Sequence, residues 1–563
     1  MNTEILGIVL VFVLTVAFAI PLGRYIARVY NGDSTFTDGI FNPFEKLLYR
    51  FCGISPNEEM GWKQHLKILL TINFVWFLLS MFVLMCQGWL PLNPDNNPGM
   101  SADLAFNTAI SFVVNCNLQH YSGETGLSYF GQLFLMFLQF VSAATGLTTA
   151  AILFNALKER TTDKLGNFYV YLIKSCTRIL LPLSVITAII LVFNGTPMTF
   201  DGKQQMTTLQ GETVNVSTGP VAAFTAIKHI GTNGGGFFGA NSAHPLENPT
   251  YLTNMVELGA QMLVPFAMIF ALGFYLNRKK LALMIFGVMT VGFLLLAIPT
   301  VIAEMNGNPA LTKMGINTGM GATEGKEVRF GAAASGFWSI ATTVISTGSV
   351  NSMHDSAMPL SGLMQLLAMM VNCFYGGCGV GLLNFYIFII LAVFISGLMV
   401  GRTPEFLGKK IEAREMKIAM IIALLHTLLI LSGTALSTAF AEYGASTLNN
   451  PGYHGFSEIL YEFTSASANN GSGMEGLGDN NPWWNITTGV VLLLSRFLPI
   501  IGPIAIAGIL AAKKHVPESS GTLKTDTSTF GLMVFAVIFI IAALSFFPAL
   551  ALGPIAEYFS LLN

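Results

Sequence analysis

The strongest constraint on the fold of this chain is a series of apolar segments, each about 20 residues or longer. An α-helix of that length matches the roughly 30 Å hydrocarbon core of a bilayer. Only 10% of the residues are Asp, Glu, Lys or Arg, against roughly 25% in a typical soluble protein. The chain is therefore predicted to be an all-α polytopic membrane protein with about ten transmembrane helices. The predicted spans are 4–26, 66–90, 127–153, 168–194, 251–276, 279–302, 358–401, 416–440, 485–511 and 529–551.

One of these spans, 358–401, is too long for a single ordinary helix. It is interrupted by the glycine-rich stretch YGGCGVG at 375–381. Because glycine weakens helices, we predict one crossing that is broken at this point.

The distribution of Lys and Arg predicts the orientation of the chain in the membrane. Placing alternate connections in the cytoplasm assigns 20 of the 28 basic residues to that side, as the positive-inside rule requires. Both termini are then predicted to lie outside.

A second kind of segment is too short to cross a membrane. The run PVAAFTAIKHI at 220–230 is about three helical turns long, and the polar, glycine-rich sequence GTNGGG follows it. Non-helical backbone at membrane depth is tolerated only where protein or a water-filled cavity surrounds it. We therefore predict a re-entrant half-helix followed by a loop that lines a pore.

The same pattern occurs four times along the chain. The first residues of the loop cores are separated by 117, 114 and 123 positions, which indicates an internal repeat. The cores are Asn115, Cys116 and Asn117; Thr232, Asn233 and Gly234; Ser346, Thr347 and Gly348; and Asn469, Asn470 and Gly471.

Four fused membrane–pore–membrane repeats of this kind can surround an axis with pseudo-fourfold symmetry. The predicted units are a first flanking helix at 1–30, pore repeats at 66–153, 168–276, 279–401 and 416–511, and a last flanking helix at 529–551. The four loops would then meet as a ring.

A ring of backbone carbonyls is a chemistry that suits potassium, because it replaces the hydration shell of the ion without a localised charge. Successive carbonyls can point the same way only if some residues adopt a left-handed conformation, which Gly tolerates best and Asn next best. The sequence therefore predicts a potassium filter made by the four loop cores. Cys116 departs from this pattern because a thiol is a poor ligand for a hard cation, and Asn117 stands where the other loops have glycine.

Several strings resemble the potassium-binding A subunits of bacterial Kdp potassium-transporting P-type ATPases, a family within a potassium-channel-like superfamily. They are HIGTNGGGFFGANSAHPLENPT, MHDS at 353–356, GRTPEFLGKKIEAREMK at 401–417 and NNPGYHGFSEILYEFTSASANNGS at 449–472. The resemblance implies that potassium enters from outside through the filter and passes to a separate P-type ATPase. It also implies a location in the bacterial inner membrane, surrounded by lipid, in a complex with a catalytic B subunit, a single-helix C subunit, and a small accessory F subunit.

The resemblance assigns further residues to the ion route. Gln119 lies next to the first filter loop, and Gly376, Gly377, Gly379 and Gly381 match the family's gate region below the filter. Arg402 begins the cytoplasmic signature loop. Potassium is the transported ion, and no nucleic acid is expected as a partner.

The chain itself is predicted not to be an enzyme and not to bind a nucleotide. The string nearest to a phosphorylation motif, TDKLG at 162–166, lacks the required threonine, and no Walker A loop occurs. ATP would be hydrolysed by a partner. A stand-alone potassium channel or ion-coupled symporter of the same superfamily remains the alternative, and four filter-like loops argue against a purely structural scaffold.

Three charged positions in or near the spans need an explanation. Glu257 and Arg178 lie towards the ends of predicted helices, where snorkelling to the interface would account for them. Arg496 lies midway along its helix, where a charge is costly and usually faces a cavity or the bundle interior. Either a structural partner or an electrostatic role along the ion route is consistent with this position.

Overall fold

The computed structural model describes residues 3–159, 161–399, 401, 403–517 and 524–562, and it is almost entirely helical. The helices are, in chain order, α1 (Thr3–Asn31), α2 (Asp38–Phe51), α3 (Trp62–Cys86), α4 (Ala102–Val113), α5 (Gly123–Gly126), α6 (Tyr129–Lys158), α7 (Phe168–Lys174), α8 (Leu181–Phe193), α9 (Val221–Ile230), α10 (Tyr251–Tyr275), α11 (Lys279–Asn306), α12 (Pro309–Lys313), α13 (Ala332–Ile345), α14 (Pro359–Val371), α15 (Val380–Met399), α16 (Ala413–Ala439), α17 (Tyr453–Ala468), α18 (Pro482–Ala512), α19 (Ser528–Leu550) and α20 (Ala556–Leu562).

Ten helices of the described chain are long and apolar enough to cross a membrane, as the sequence predicts. Two of them contain a π-helical turn: Ser175–Leu180 joins α7 to α8, and Ala551–Ile555 joins α19 to α20. The crossing helices are α1, α3, α6, α7–α8, α10, α11, α15, α16, α18 and the C-terminal helix that includes Leu544–Leu562.

The predicted span at 358–401 is broken, as expected. It consists of α14, which is too short to cross, and α15, which crosses, with residues 372–379 between them. Asn372 and Tyr375 have φ values of +43° and +61°, a region that non-glycine residues seldom adopt. The chain is therefore interrupted here instead of continuing as one helix.

The crossing helices differ in how deeply they lie within the protein. About 89% of the apolar stretch of α6 and 78% of that of α10 are buried inside the protein, compared with 17% for α1 and 28% for α3. Helices α6 and α10 therefore lie at the centre of the bundle, while α1 and α3 present most of their surface to the surroundings.

Two short β-ribbons, which the sequence patterns do not predict, lie outside the bundle. β1 (Gln204–Thr207) pairs with β2 (Thr213–Val216), and β3 (Glu405–Phe406) pairs with β4 (Lys409–Lys410), both antiparallel. The second ribbon forms part of the GRTPEFLGKK segment. Arg402 of that segment lies outside the described residues.

Four short helices, α4, α9, α13 and α17, have almost all of their residues buried. Each follows one crossing helix and is followed by a loop and another crossing helix, which for α13 is the broken crossing of α14 and α15. The element order thus contains the helix, half-helix, loop and helix unit four times. The exact repeat boundaries at 66–153, 168–276, 279–401 and 416–511 remain predictions.

Candidate functional site

The four loop cores share one backbone conformation. Their first residues, Asn115, Thr232, Ser346 and Asn469, have φ values of +64°, +49°, +59° and +51°. Their third residues, Asn117, Gly234, Gly348 and Gly471, have φ values of +55°, +70°, +85° and +105°. Within these described loops, the middle residues Cys116, Asn233, Thr347 and Asn470 do not have positive φ.

This alternation has a direct chemical consequence. When left-handed and right-handed residues alternate, successive carbonyl oxygens point to the same side of the chain, whereas in an ordinary strand they point to opposite sides. The sequence predicts a left-handed third residue but does not reveal the left-handed first one. Threonine and serine pay a steric penalty for this conformation, so the surrounding structure must hold Thr232 and Ser346 in place.

The four loops touch one another in cyclic order. A Cβ atom added at Gly234 would collide with the carbonyl oxygen of Thr347. One added at Gly348 would collide with that of Asn470, and one added at Gly471 with that of Cys116. Gly235 packs against Asn117 and completes the ring between the second and first loops.

Side chains tie the first two loops together. The Asn117 Nδ2 donates to the Gly234 carbonyl oxygen at 2.6 Å, and the Asn115 Nδ2 donates to the carbonyl oxygens of Gly231 at 3.2 Å and Thr232 at 3.1 Å. Asn117, which lacks the conformational freedom of glycine, thus contributes an inter-loop hydrogen bond instead.

Gln119 lies at the same junction. Its Nε2 donates to the Gly236 carbonyl oxygen at 3.1 Å, and its Oε1 accepts from the Gly236 backbone N–H at 2.7 Å. Both ends of this amide therefore bridge the first and second loops.

The fourth loop is held from behind by a chain of buried hydrogen bonds. The Asn470 Nδ2 donates to the Thr342 carbonyl oxygen at 2.8 Å, which links the fourth loop to α13. Ser472 Oγ donates to Asn470 Oδ1 at 2.6 Å and also pairs with the Tyr461 hydroxyl, which in turn contacts His354 Nδ1 at 2.7 Å. These hydrogen bonds connect the fourth loop to α13 and α17 behind it.

The twelve core residues present only neutral groups, and all of them are buried except Gly471, which is partly exposed. Three of their side-chain oxygens, Asn117 Oδ1, Asn233 Oδ1 and Thr347 Oγ1, are buried without a protein partner. The C-terminal ends of the four short helices, which carry partial negative charge, lead directly into the loops. An oxygen-lined, uncharged site of this type can coordinate a weakly hydrated monovalent cation.

Ionisable groups surround the second loop, and among them only Glu257 was interpreted from the sequence. Lys228 is fully buried and pairs with Glu247 at 2.8 Å. His229 Nε2 contacts Ser349 Oγ at 2.8 Å, and Glu257 Oε2 accepts from Ser242 Oγ at 2.8 Å. Glu257 is completely buried, so the snorkelling interpretation of this residue is wrong. The adjacent Lys228 and His229 within the apolar run at 220–230 could have indicated a buried ionisable cluster from the sequence.

A second charged group adjoins the first and fourth loops. His120 is buried, with its Nε2 3.1 Å from Glu462 Oε1 and its Nδ1 2.7 Å from Asn485 Oδ1. Burial lowers the pKa of His120, but the charges of Asp479 and Glu462 outweigh it and raise the pKa to about 9. At neutral pH this histidine is therefore protonated and offsets nearby carboxylates.

The break between α14 and α15 lies against the second and third loops. The backbone N–H of Cys378 donates to Thr232 Oγ1 at 2.9 Å, and Ser346 Oγ donates to Asn372 Oδ1 at 3.2 Å. The predicted gate glycines lie in this segment: Gly376, Gly377 and Gly379 have positive φ, Gly381 packs against Gly376, and Gly379 packs against Gly146 of α6.

Arg496 lies beside the same break. Its guanidinium group lies close to Gly146 of α6, and the carbonyl oxygen of Cys378 packs against the same glycine. Only 6% of Arg496 is exposed. Among the residues that the structure describes, it has neither a hydrogen bond nor a carboxylate at ion-pair distance. The structural ion-pair partner considered from the sequence is therefore not found in the described chain.

A cavity lies close to the third and fourth loops and to the break. Polar groups from Asn372, Asn384, His426, Ser467 and Ser495 line it together with apolar side chains. His426 is held by Ser467 Oγ at 2.7 Å and by the Met369 carbonyl oxygen at 3.0 Å. The loops therefore adjoin an internal space with several polar groups.

The likeness to a solved structure concerns the fold. The potassium transporter TrkH from Vibrio parahaemolyticus superimposes with a TM-score of 0.51 over 89% of this chain and 98% of TrkH, at 15% sequence identity. The predicted fold class, a mostly helical membrane protein with about ten crossing helices, is confirmed by this likeness of fold and by the ten apolar helices.

The sequence comparisons are much closer. Proteins described as the potassium-binding subunit of a potassium-transporting ATPase are 74% identical in Flavobacterium johnsoniae and 61% identical in Bacteroides thetaiotaomicron, over the full length of both chains in each case. The relative from Geobacillus kaustophilus is 47% identical over 98% of each chain. The family model described as the potassium-transporting ATPase A subunit matches residues 9–559. The chain therefore belongs to the potassium-transporting ATPase A subunit family.

Proposed function

We propose that this chain binds potassium in the ring of four loops and passes it to a partner P-type ATPase, which drives uptake with ATP. One observation carries the proposal: four uncharged loops with the same alternating backbone conformation touch one another in a closed cycle. Family membership supports a role in potassium transport.

The chemistry of the ring accounts for selectivity. Potassium loses its hydration shell only if oxygen atoms replace it, and carbonyl dipoles do so without binding the ion too tightly to leave. Rigid spacing of the oxygens favours one ionic radius over others. The hydrogen bonds from Asn117 to Gly234 and from Asn470 to Thr342 supply this rigidity between neighbouring elements.

The route beyond the ring involves the break at 372–379. Thr232 and Ser346 each have a side chain bonded to this segment and belong to the loop cores. Movement of the break would therefore be felt by the loops, so the segment suits a gate. Arg402 cannot be placed on this route because it lies outside the described residues.

The partners follow from the family. We expect the catalytic B subunit to hydrolyse ATP, with the single-helix C and small accessory F subunits completing the complex in the bacterial inner membrane. This chain would be the non-catalytic member of the complex, without a nucleotide of its own, and both termini would lie outside.

A direct test is ATP hydrolysis by the complex purified gently from its native membrane, titrated with potassium and then with sodium. Potassium should stimulate hydrolysis and sodium should not. Gly234→Asp should abolish stimulation, or raise the half-saturating potassium concentration more than tenfold, because the side chain collides with Thr347 and adds a charge to a neutral site. Gly211→Asp is the matched control, since Gly211 also has positive φ but faces open space on the β1–β2 ribbon.

Unchanged potassium dependence in Gly234→Asp would contradict the filter assignment. Passive potassium flux through liposomes, with no ATPase co-purifying, would instead support the channel or symporter alternative. The ring would then keep its role and the energy source would change.

A further inference from the structure

Helix α2 has one face of large apolar side chains that the protein does not cover. Ile40, Phe44, Leu47 and Phe51 are between 49% and 88% exposed, and Phe36, just before the helix, is 88% exposed. The spacing of four, three and four residues within the helix places these side chains on one face. A soluble surface would seldom expose five such residues together.

The opposite face of α2 is held against the protein chiefly by one guanidinium group. Arg178, in the π-helical turn between α7 and α8, donates to Glu45 at 2.6 and 2.7 Å, to Asn42 at 2.6 Å and to Asp38 at 2.5 Å. Asp38, Asn42 and Glu45 follow the same helical spacing on the face away from Phe44. These hydrogen bonds from Arg178 fix the rotation of α2 about its axis, so the apolar face of the helix must point away from the protein.

The position of α2 along the neighbouring helices gives its depth. The hydroxyl of Tyr25 contacts Thr37 Oγ1 at 2.8 Å and the Arg178 carbonyl oxygen at 3.3 Å. Tyr25 lies six residues before the end of α1 at Asn31, which corresponds to roughly 9 Å of helix. The start of α2 therefore lies beside the last turns of a crossing helix and not beyond its end, a level that suits the depth of about 5–10 Å at which interfacial helices lie.

The charges on α2 agree with this placement. Lys46 and Arg50 are exposed and four residues apart on one flank of the helix, whereas Phe41 and Leu48 are half-buried on the other. Arg24 and Arg28 of α1 are also exposed, and Arg24 lines a cleft beside Phe36. Basic side chains at this level suit the phosphate groups of a lipid surface.

We infer that α2 is an in-plane membrane anchor, with its apolar face inserted among lipid headgroups and acyl chains and its basic flank facing water. The lipid surface continues from the exposed sides of α1 and α3, which flank α2 in the chain. Through Arg178, the anchor holds the π-helical turn of a crossing helix at a fixed level in the bilayer.

Spin-label accessibility tests this inference in the purified complex in lipid nanodiscs. Nitroxide labels are attached to Leu47→Cys on the apolar face and to Lys46→Cys on the adjacent flank, in a background with Cys52, Cys86 and Cys176 changed to Ser. Cys116, Cys373 and Cys378 are buried. Potassium-stimulated ATP hydrolysis confirms that each labelled protein is folded.

We expect the label at position 47 to collide preferentially with oxygen and the label at 46 with a water-soluble nickel chelate. The ratio of the oxygen collision rate to the nickel chelate collision rate should be at least threefold higher for the label at position 47 than for the label at position 46. Equal access of the nickel chelate to both labels would overturn the inference, because the apolar face would lie in water. Protection of position 47 from both quenchers would also overturn it, because a protein partner would then cover the face.

Discussion

Two arginines buried in crossing helices of this protein have opposite surroundings. Arg178 is 5% exposed and bonds to two carboxylates and an amide, whereas Arg496 is 6% exposed and has no such partner among the described residues. A buried charge without a partner is costly, and it is retained where function requires it. From this comparison we propose that the contacts of Arg178 serve stability and that Arg496 acts electrostatically on the ion route.

The largest expected effect is on stability at the paired arginine. Arg178→Met leaves the buried Glu45 carboxylate without its partner, and we expect the free energy of unfolding to fall by about 3–5 kcal/mol. The midpoint of an SDS titration in mixed micelles measures this change. Arg50→Met, at an exposed position on α2, should shift the midpoint by no more than the equivalent of about 0.5 kcal/mol. If Arg178→Met left stability intact but altered potassium affinity, the proposed division of roles would fail.

The second-largest effect is expected at the hydrogen bond between the Cys378 backbone N–H and Thr232, near Arg496. Thr232→Val removes the acceptor for the buried backbone N–H of Cys378, at a cost of about 2 kcal/mol. Because this bond joins a loop core to the break, we expect the half-saturating potassium concentration for ATP hydrolysis to rise about tenfold. Thr232→Ser keeps the hydroxyl and should behave like the parent; unchanged potassium dependence in Thr232→Val would show that this hydrogen bond does not matter.

The third effect concerns Arg496 itself. Removing its charge with Arg496→Met should strengthen apparent potassium binding about tenfold, or ~1.4 kcal/mol, the size of repulsion between unit charges roughly 10 Å apart at an effective dielectric near 20. Arg496→Lys keeps the charge and should change affinity much less. Potassium-dependent ATP hydrolysis reports the affinity, and the SDS midpoint should fall little in either variant. A large loss of stability in Arg496→Met, with unchanged affinity, would place Arg496 in the same class as Arg178.

The smallest effect is the pH dependence of the Arg178 cluster. Hydrogen bonds from Thr35, followed by the contact with Arg178, hold the pKa of Asp38 at about 2, below its usual value of 3.8. The stabilisation is therefore complete above the usual pKa and is lost as the pH falls towards 2. Because Asp38 is 27% exposed, solvent screening reduces the contribution to about 1 kcal/mol.

Unfolding midpoints measured between pH 6 and pH 3 should thus decline less in Asp38→Asn than in the parent. Parallel declines would show that Asp38 does not contribute.

The sequence predicts the crossing helices and the loops well for physical reasons. An apolar run of about 20 residues is stable in a membrane as a helix, because the helix satisfies all of its backbone hydrogen bonds internally. Glycines at 234, 348 and 471 mark positions where the backbone is left-handed. The break at 372–379 follows from its glycines in the same way. These features depend on short stretches of sequence.

Features that depend on distant pairs were missed. Arg178 and Glu45 lie 133 residues apart, so the snorkelling interpretation of Arg178, a local argument, is wrong. The positive φ of Thr232 and Ser346 is likewise unpredictable from residue type, because hydrogen bonds from other elements hold these residues in a conformation that they disfavour. The role of each loop residue in binding potassium stays a prediction.

The four loop cores have four different sequences, and one gene encodes them all. In a pore assembled from four identical copies of one chain, any inherited change appears at every corner at once. Here a single codon change alters one corner and leaves three as they were. The ring can thus be altered at one corner at a time, so its four sides need not be chemically equal.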